Sequence, residues 1–246
     1  MTDFSELFKD KSSFNGDIST WNTASVTNLE FTFYEATSFN GDLSNWDTSR
    51  VTNMYGTFKG TDSYTGVGLS NWNVQKVSSL RGAFKEATSF NGTLSNWDTS
   101  SVTSLQNTFY SATSFTGDDL SNWDTSRVTT LEGTFQSATS FNGNVSSWDT
   151  SSVTTLKNTF CYAKKVNQDL SRWDVSRVST MLQMFDGAYD FNGNVSTWDV
   201  SSVTSYGLQS TFRGATKFNG MVLSRVFVNH ETSNTHTHTH THTQVI

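Results

Sequence analysis

Residues Ser38–Gly60 read S-F-N-G-D-L-S-N-W-D-T-S-R-V-T-N-M-Y-G-T-F-K-G, and variants of that string fill most of a chain of 246 residues. Trp46, at its centre, has counterparts at Trp21, Trp72, Trp97, Trp123, Trp148, Trp173 and Trp198, always 25 or 26 residues apart. A valine stands five residues after each tryptophan, from Val26 to Val203. A phenylalanine stands seven beyond the valine, from Phe33 to Phe185, and slips to Phe212 in the last unit, where Tyr206–Ser210 carries an insertion. A fixed period of this length marks a repeat architecture, in which each unit buries its apolar face only against its neighbours.

Within one unit, Trp46 and Thr48 alternate with Asn45, Asp47 and Ser49, which is the pattern of a short strand with one face inward. Leu29, Phe33 and Ala36 fall at i, i+4 and i+7, one face of a short helix or 3₁₀ turn. Thr27 before Glu30 and Thr129 before Glu132 match a capping box. The Asn-Gly pair after a second aromatic, as in Phe39-Asn40-Gly41, predicts a tight turn with positive φ. The expected fold is therefore an α/β repeat solenoid of leucine-rich-repeat-like coils. Each coil holds one short strand and one short helix or 3₁₀ turn, with a parallel sheet along one face.

Residues 1–223 read as a single solenoid of about nine coils, the first incomplete because Phe4 and Phe8 take the places of Leu29 and Phe33. Residues 224–246 read as the remnant of a cap followed by a disordered tail. That tail holds the alternating Thr-His run 235–243, which is what a translated CA dinucleotide tract encodes.

The unit over Ser38–Gly60, repeated across about 220 residues, closely resembles the 26-residue repeat of bacterial surface proteins, a branch of the BspA-like leucine-rich-repeat surface proteins common in mycoplasma lipoproteins. The resemblance implies a curved solenoid at a cell surface and no single shared activity. The family commonly places methionine before the repeat phenylalanine. This chain has threonine there, at Thr32, Thr57, Thr108, Thr134, Thr159 and Thr211, and keeps the methionine only at Met184.

The composition narrows the function. Lys+Arg number 16 against 22 Asp+Glu, for a net charge of −6, which gives no basic footprint for nucleic acid. No apolar run is long enough for a transmembrane segment. One cysteine, Cys161, cannot form an internal disulfide and reads as an incidental exposed thiol. There is no proline, as expected where mid-stack N–H groups must bond to the next coil. No cofactor or metal is expected. Ser, Asp and Thr recur as columns rather than as one unique constellation, so the chain reads as no enzyme.

Two columns are candidate sites. The exposed strand face presents Asn45, Asp47, Asn96, Asp98, Asn122, Asp124, Asp149, Asp174 and Asp199, a polar surface suited to a protein or glycan partner. Its carboxylates can hold calcium or close Asx turns onto amides two residues on. The second reading carries more weight, because Asn22 and Asn73 keep the bond and lose the charge. The threonine column Thr32, Thr57, Thr108, Thr134, Thr159 and Thr211 is the alternative, a ladder for ice. The outward helix positions Tyr34, Lys59, Lys85, Tyr110, Gln136, Cys161 and Asp186 vary freely, where an ice plane would need repetition. The expectation is a non-enzymatic adhesion or recognition protein, as a monomer or part of a longer chain. Its extracellular or cell-surface placement rests on the resemblance, because the polar Met1–Lys11 has no signal-peptide core.

Overall fold

The computed structural model describes residues 1–220. The cap remnant, the Thr-His tail and the boundary at residue 223 lie outside the described residues. Within them the repeat unit is one coil of chain, and the coils stack. Their backbones are linked by hydrogen bonds between residues one repeat apart, such as Leu29 N–H to Asn53 O (2.9 Å) and Phe33 N–H to Thr57 O (2.9 Å).

The coil is not the expected α/β unit. Among the described residues there is no α-helix, no strand and no sheet. Regular structure is confined to three short 3₁₀ turns, Leu69–Asn71, Leu120–Asn122 and Tyr206–Leu208. Parallel pairing survives only as isolated one-residue bridges, such as Asn28 with Asn53 and Thr130 with Thr155.

The helix fails for a local reason. Phe31 and Glu35 hold φ of 50° and 56°, Gly56 and Gly60 hold 58° and 70°, and Asn107 and Ser111 both hold 56°. Two left-handed residues per coil, four apart, turn the segment into a series of β-turns, since a type II turn needs positive φ at its third residue. Amides then alternate in direction. Thr32, Tyr34 and Ala36 donate three residues back, to Leu29, Phe31 and Phe33, while Phe31, Phe33 and Glu35 donate to Tyr55, Thr57 and Lys59 of the next coil. A non-glycine residue in this region costs about 1–2 kcal/mol. At Phe31, Glu35 and Tyr162 an inter-coil hydrogen bond from the same residue's amide offsets part of that cost. The capping boxes fail with the helix: Thr27 Oγ1 donates instead to Thr2 O of the preceding coil (3.2 Å).

The strand fails because a side chain stands between the backbones. Trp46 and Thr48 do face inward, with Asn45 and Asp47 outward. Yet Thr48 Oγ1 donates to Asn73 O (3.1 Å) and accepts from the Asn73 amide (2.8 Å), so a hydroxyl occupies the place of a backbone ladder. Thr99, Thr125 and Thr150 likewise bond the carbonyls of Asp124, Asp149 and Asp174.

Aromatic ladders fill the core. The rings of Phe33, Phe58, Phe84, Phe109, Phe135, Phe160, Phe185 and Phe212 follow one another at 5.3–5.7 Å, near parallel. Trp97, Trp123 and Trp148 stack at 6.3 Å and 1°. Each such pair adds about 0.5–1.5 kcal/mol beyond area burial. The indole N–H groups are also satisfied: Trp97 donates to Leu69 O (2.9 Å) and Trp148 to Leu120 O (3.0 Å).

The Asn-Gly glycines play a role other than the one expected. Gly41, Gly92, Gly143 and Gly193 are not among the positive-φ residues. They are small because the neighbouring coil or ring is too close: a Cβ on Gly143 would overlap the Gly117 carbonyl, and one on Gly41 would lie 2.8 Å from the Phe39 ring.

Trp123 is 4% exposed, stacked on both sides and bonded through its indole N–H to Leu94 O. Trp123→Ala should cost about 3–5 kcal/mol in urea melts. A shift below about 0.5 kcal/mol would contradict a buried ladder. Thr134 is fully buried, and its hydroxyl lies 3.0 Å from Leu105 O and 2.8 Å from Leu131 O. Both carbonyls also accept an amide, from Thr108 and Thr134. Thr134→Val should therefore cost only about 1 kcal/mol in the same assay.

Candidate functional site

Asn45, Asp47, Asn96, Asp98, Asn122, Asp124, Asp149, Asp174 and Asp199 are all exposed. They sit where the chain leaves the buried tryptophan and turns, so one residue per coil projects at the same place. The turn is an Asx turn in every unit. Asp47 accepts from the Ser49 amide (2.9 Å), Asp98 from Ser100 (3.1 Å), Asp124 from Ser126 (3.0 Å), Asp149 from Ser151 (2.9 Å), Asp174 from Ser176 (2.9 Å) and Asp199 from Ser201 (3.0 Å). Asn22 and Asn73 make the same bond to Ala24 and Gln75.

The serine hydroxyl adds a second donor in several coils, at 2.6 Å in Ser100 and 2.7 Å in Ser126. That hydroxyl, and after it the serine amide, hold the carboxyls of Asp47, Asp98, Asp124 and Asp174 below the usual aspartate range. The column is thus a ridge of fixed negative charges with one oxygen of each committed to the backbone. Asn71, Asn73, Gln75, Asn96 and Asp98 line a shallow recess of about 320 Å³ on it. Among the described residues no cluster of three His, Cys, Asp or Glu side chains is placed to hold a metal.

The threonines considered for ice stand elsewhere. Thr32, Thr57, Thr108, Thr134 and Thr159 have 0% exposure and Thr211 has 1%. Their hydroxyls bond carbonyls of their own coil and of the coil before it, as Thr57 does to Met54 O (2.9 Å) and Leu29 O (3.1 Å). The column presents no surface; it is a polar seam inside the core.

Cys161 is a correction. It is 3% exposed, and burial pushes its thiol up to about 11. Because the segment is not a helix, its column forms a half-buried wall rather than an outermost face. At this end Asp186, paired with Arg213 and itself 3% exposed, belongs to the same wall.

The same wall holds a feature that the sequence reading passed over as variation. Lys9, Phe31, Tyr34, Tyr55, Lys59, Arg81 and Lys85 surround a recess of about 340 Å³ whose lining also includes Gly56, Gly82 and Asn107. Lys59 Nζ lies 4.6 Å from the Tyr34 ring centre, the Arg81 guanidinium 5.4 Å from Tyr55, and Lys85 Nζ 4.7 Å from Tyr110. The available signal was the run Tyr34, Lys59, Lys85, Tyr110 in one column, with glycines at Gly56 and Gly82 three residues before the lysines.

The family model described as Mycoplasma protein of unknown function, DUF285, matches residues 1–68, 47–120, 64–171 and 109–226. The four matches overlap, as they must when one model can be laid on a repeat in several registers. No curated protein matches the chain.

Because the depressed carboxyls raise stability only while ionised, their contribution is present above about pH 4, the unfolded aspartate value, and is lost as pH falls through the lowered folded values. Replacing Asp98, Asp124 and Asp174 by Asn keeps the acceptor, as Asn22 and Asn73 do. The triple variant should be less stable than wild type at pH 7, by no more than the modest amount that exposed charged groups contribute, and should converge on wild type between about pH 4 and 2 because it loses less stability there. Urea melts across that range would check both, and parallel acid limbs would contradict the assignment.

Proposed function

We propose that this chain, which belongs to the family of Mycoplasma proteins of unknown function DUF285, is a non-enzymatic repeat protein of a cell surface or secretion, used for adhesion or recognition of a macromolecule. The observation that supports this reading is the ridge from Asp47 to Asp199. A carboxylate recurs in every coil of that span except the one with Asn73, exposed, and held in place by the same Asx turn each time. A rigid, regularly spaced row of this kind binds an extended partner through many weak contacts at once, at little cost in side-chain ordering. The partner it suits is a protein or glycan that presents cationic or hydrogen-bond-donating groups along its length. Single charge pairs at an exposed surface are worth only about 0–1 kcal/mol each, so affinity must come from repetition.

The test uses the Asp98/Asp124/Asp174→Asn variant, which keeps the fold. Wild type and variant are passed over an array of extracellular-matrix proteins and surface glycans. At least one partner should bind wild type and lose about tenfold in affinity with the variant, the loss shrinking as salt rises. Identical binding of the two chains across the array would remove the ridge from the proposal.

A further inference from the structure

The recess framed by Lys9, Lys59, Arg81 and Lys85 is chemically unlike the rest of the molecule. The chain has 22 Asp+Glu and a net charge of −6, yet no carboxylate lines this recess and four cations do. Lys9 and Lys85 have acidic neighbours, Glu6 at 3.0 Å and Glu86 at 3.5 Å. Lys59 and Arg81 have no carboxylate within ion-pair distance among the described residues. They are held instead over aromatic faces, and Lys59 Nζ also lies 3.5 Å from the Tyr34 hydroxyl. A cation over a ring is oriented but not neutralised.

The recess is also shaped by omission. Gly56 and Gly82 occupy a column that holds Phe31, Asn107 and Asn158 in other coils. At Gly56 an added Cβ would run into the Phe31 ring, so glycine lets that ring pack in as a wall, and at Gly82 it would sit in ordinary contact with Lys85 and Tyr55 at 3.9 Å. The result is about 340 Å³ walled by Phe31, Tyr34 and Tyr55, near the lower limit of the roughly 300–1,000 Å³ typical of ligand sites.

We propose that this recess binds an acidic saccharide unit. The anionic group would meet Lys59 and Arg81, whose guanidinium fork suits a carboxylate or sulfate. The ring's C–H face, slightly positive, would lie against the electron-rich aromatic walls. A nucleic-acid strand fits less well. Along the Arg81 column the next coils carry Gln106 and Glu132, so the cations do not continue into a track for a phosphate backbone. The site shares no residue with the acidic ridge and stands whether or not that ridge binds a partner.

The experiment is calorimetry at low salt on the full chain. The probes are a galacturonic-acid trisaccharide, its neutral methyl ester, a sulfated disaccharide and a thymidine hexanucleotide. The test variant carries Lys59→Gln and Arg81→Gln. Glutamine already stands in both columns, at Gln136 and Gln106, so the fold is preserved, and a urea melt confirms it. Wild type should bind an acidic saccharide, and the neutral ester and the double variant should each lose about tenfold or more. The Asp98/Asp124/Asp174→Asn chain should bind as wild type does. No binding of either acidic sugar at millimolar concentration, full binding by the double variant or the ester, equal loss in the ridge variant, or tighter binding of the hexanucleotide would each overturn the proposal.

Discussion

The structure depends on how each coil disposes of its backbone amides. An isolated turn segment satisfies only half of them, because turns with a left-handed residue point alternate N–H groups away from the segment. In this chain those groups reach the carbonyls of the next coil, as from Phe31, Phe33 and Glu35 to Tyr55, Thr57 and Lys59. No coil is complete without its neighbour, and the register is fixed at one repeat. The same requirement accounts for the absence of proline. Both sets of amides are in use, one within the coil and one between coils, so few positions can do without an N–H.

Threonine makes this backbone tolerable inside a core. Turns leave carbonyls pointing inward, and one that already accepts an amide still has a second lone pair to offer. The buried column Thr57, Thr108, Thr134 and Thr159 shares one hydroxyl proton between two such carbonyls in each coil. A second inward column, Thr23, Thr48, Thr99, Thr125 and Thr150, bonds the carbonyl of the next coil. The Ser/Thr-rich composition is thus in good part interior architecture, and the threonine before the repeat phenylalanine belongs to the chemistry of the core. With hydroxyls supplying the polar bonds, aromatic ladders supply the largest buried side chains, and a chain short of aliphatic residues still folds around a continuous core.

The tryptophan, valine and phenylalanine columns were legible as inward because burial imposes the same demand at every repeat, whatever the local backbone does. The Asx turns from Asp47 to Asp199 were legible because Asn22 and Asn73 replace charge but keep the acceptor. The coil's conformation was not. Leu29, Phe33 and Ala36 fall on a helical face by spacing alone, and Trp46 with Thr48 alternate as a strand would. The contrary sign lay in the Gly/Asn column at Gly56, Gly82, Asn107, Gly133 and Asn158, since these residues in mid-helix favour a left-handed backbone. Phe31 and Gln183 in the same column hide that sign, because nothing in their chemistry asks for positive φ.

By itself the sequence determined the period, the number of ladders and which residues of each unit are buried, because those follow from side-chain transfer out of water and repeat with it. Only the tertiary structure decided the path of the backbone, the burial of the Thr32 column and of Cys161, and the meeting of Lys59, Arg81, Tyr34 and Tyr55 around one recess. These depend on where amides and side chains of adjacent coils bond one another, and residues 25 positions apart become neighbours only when the coils stack.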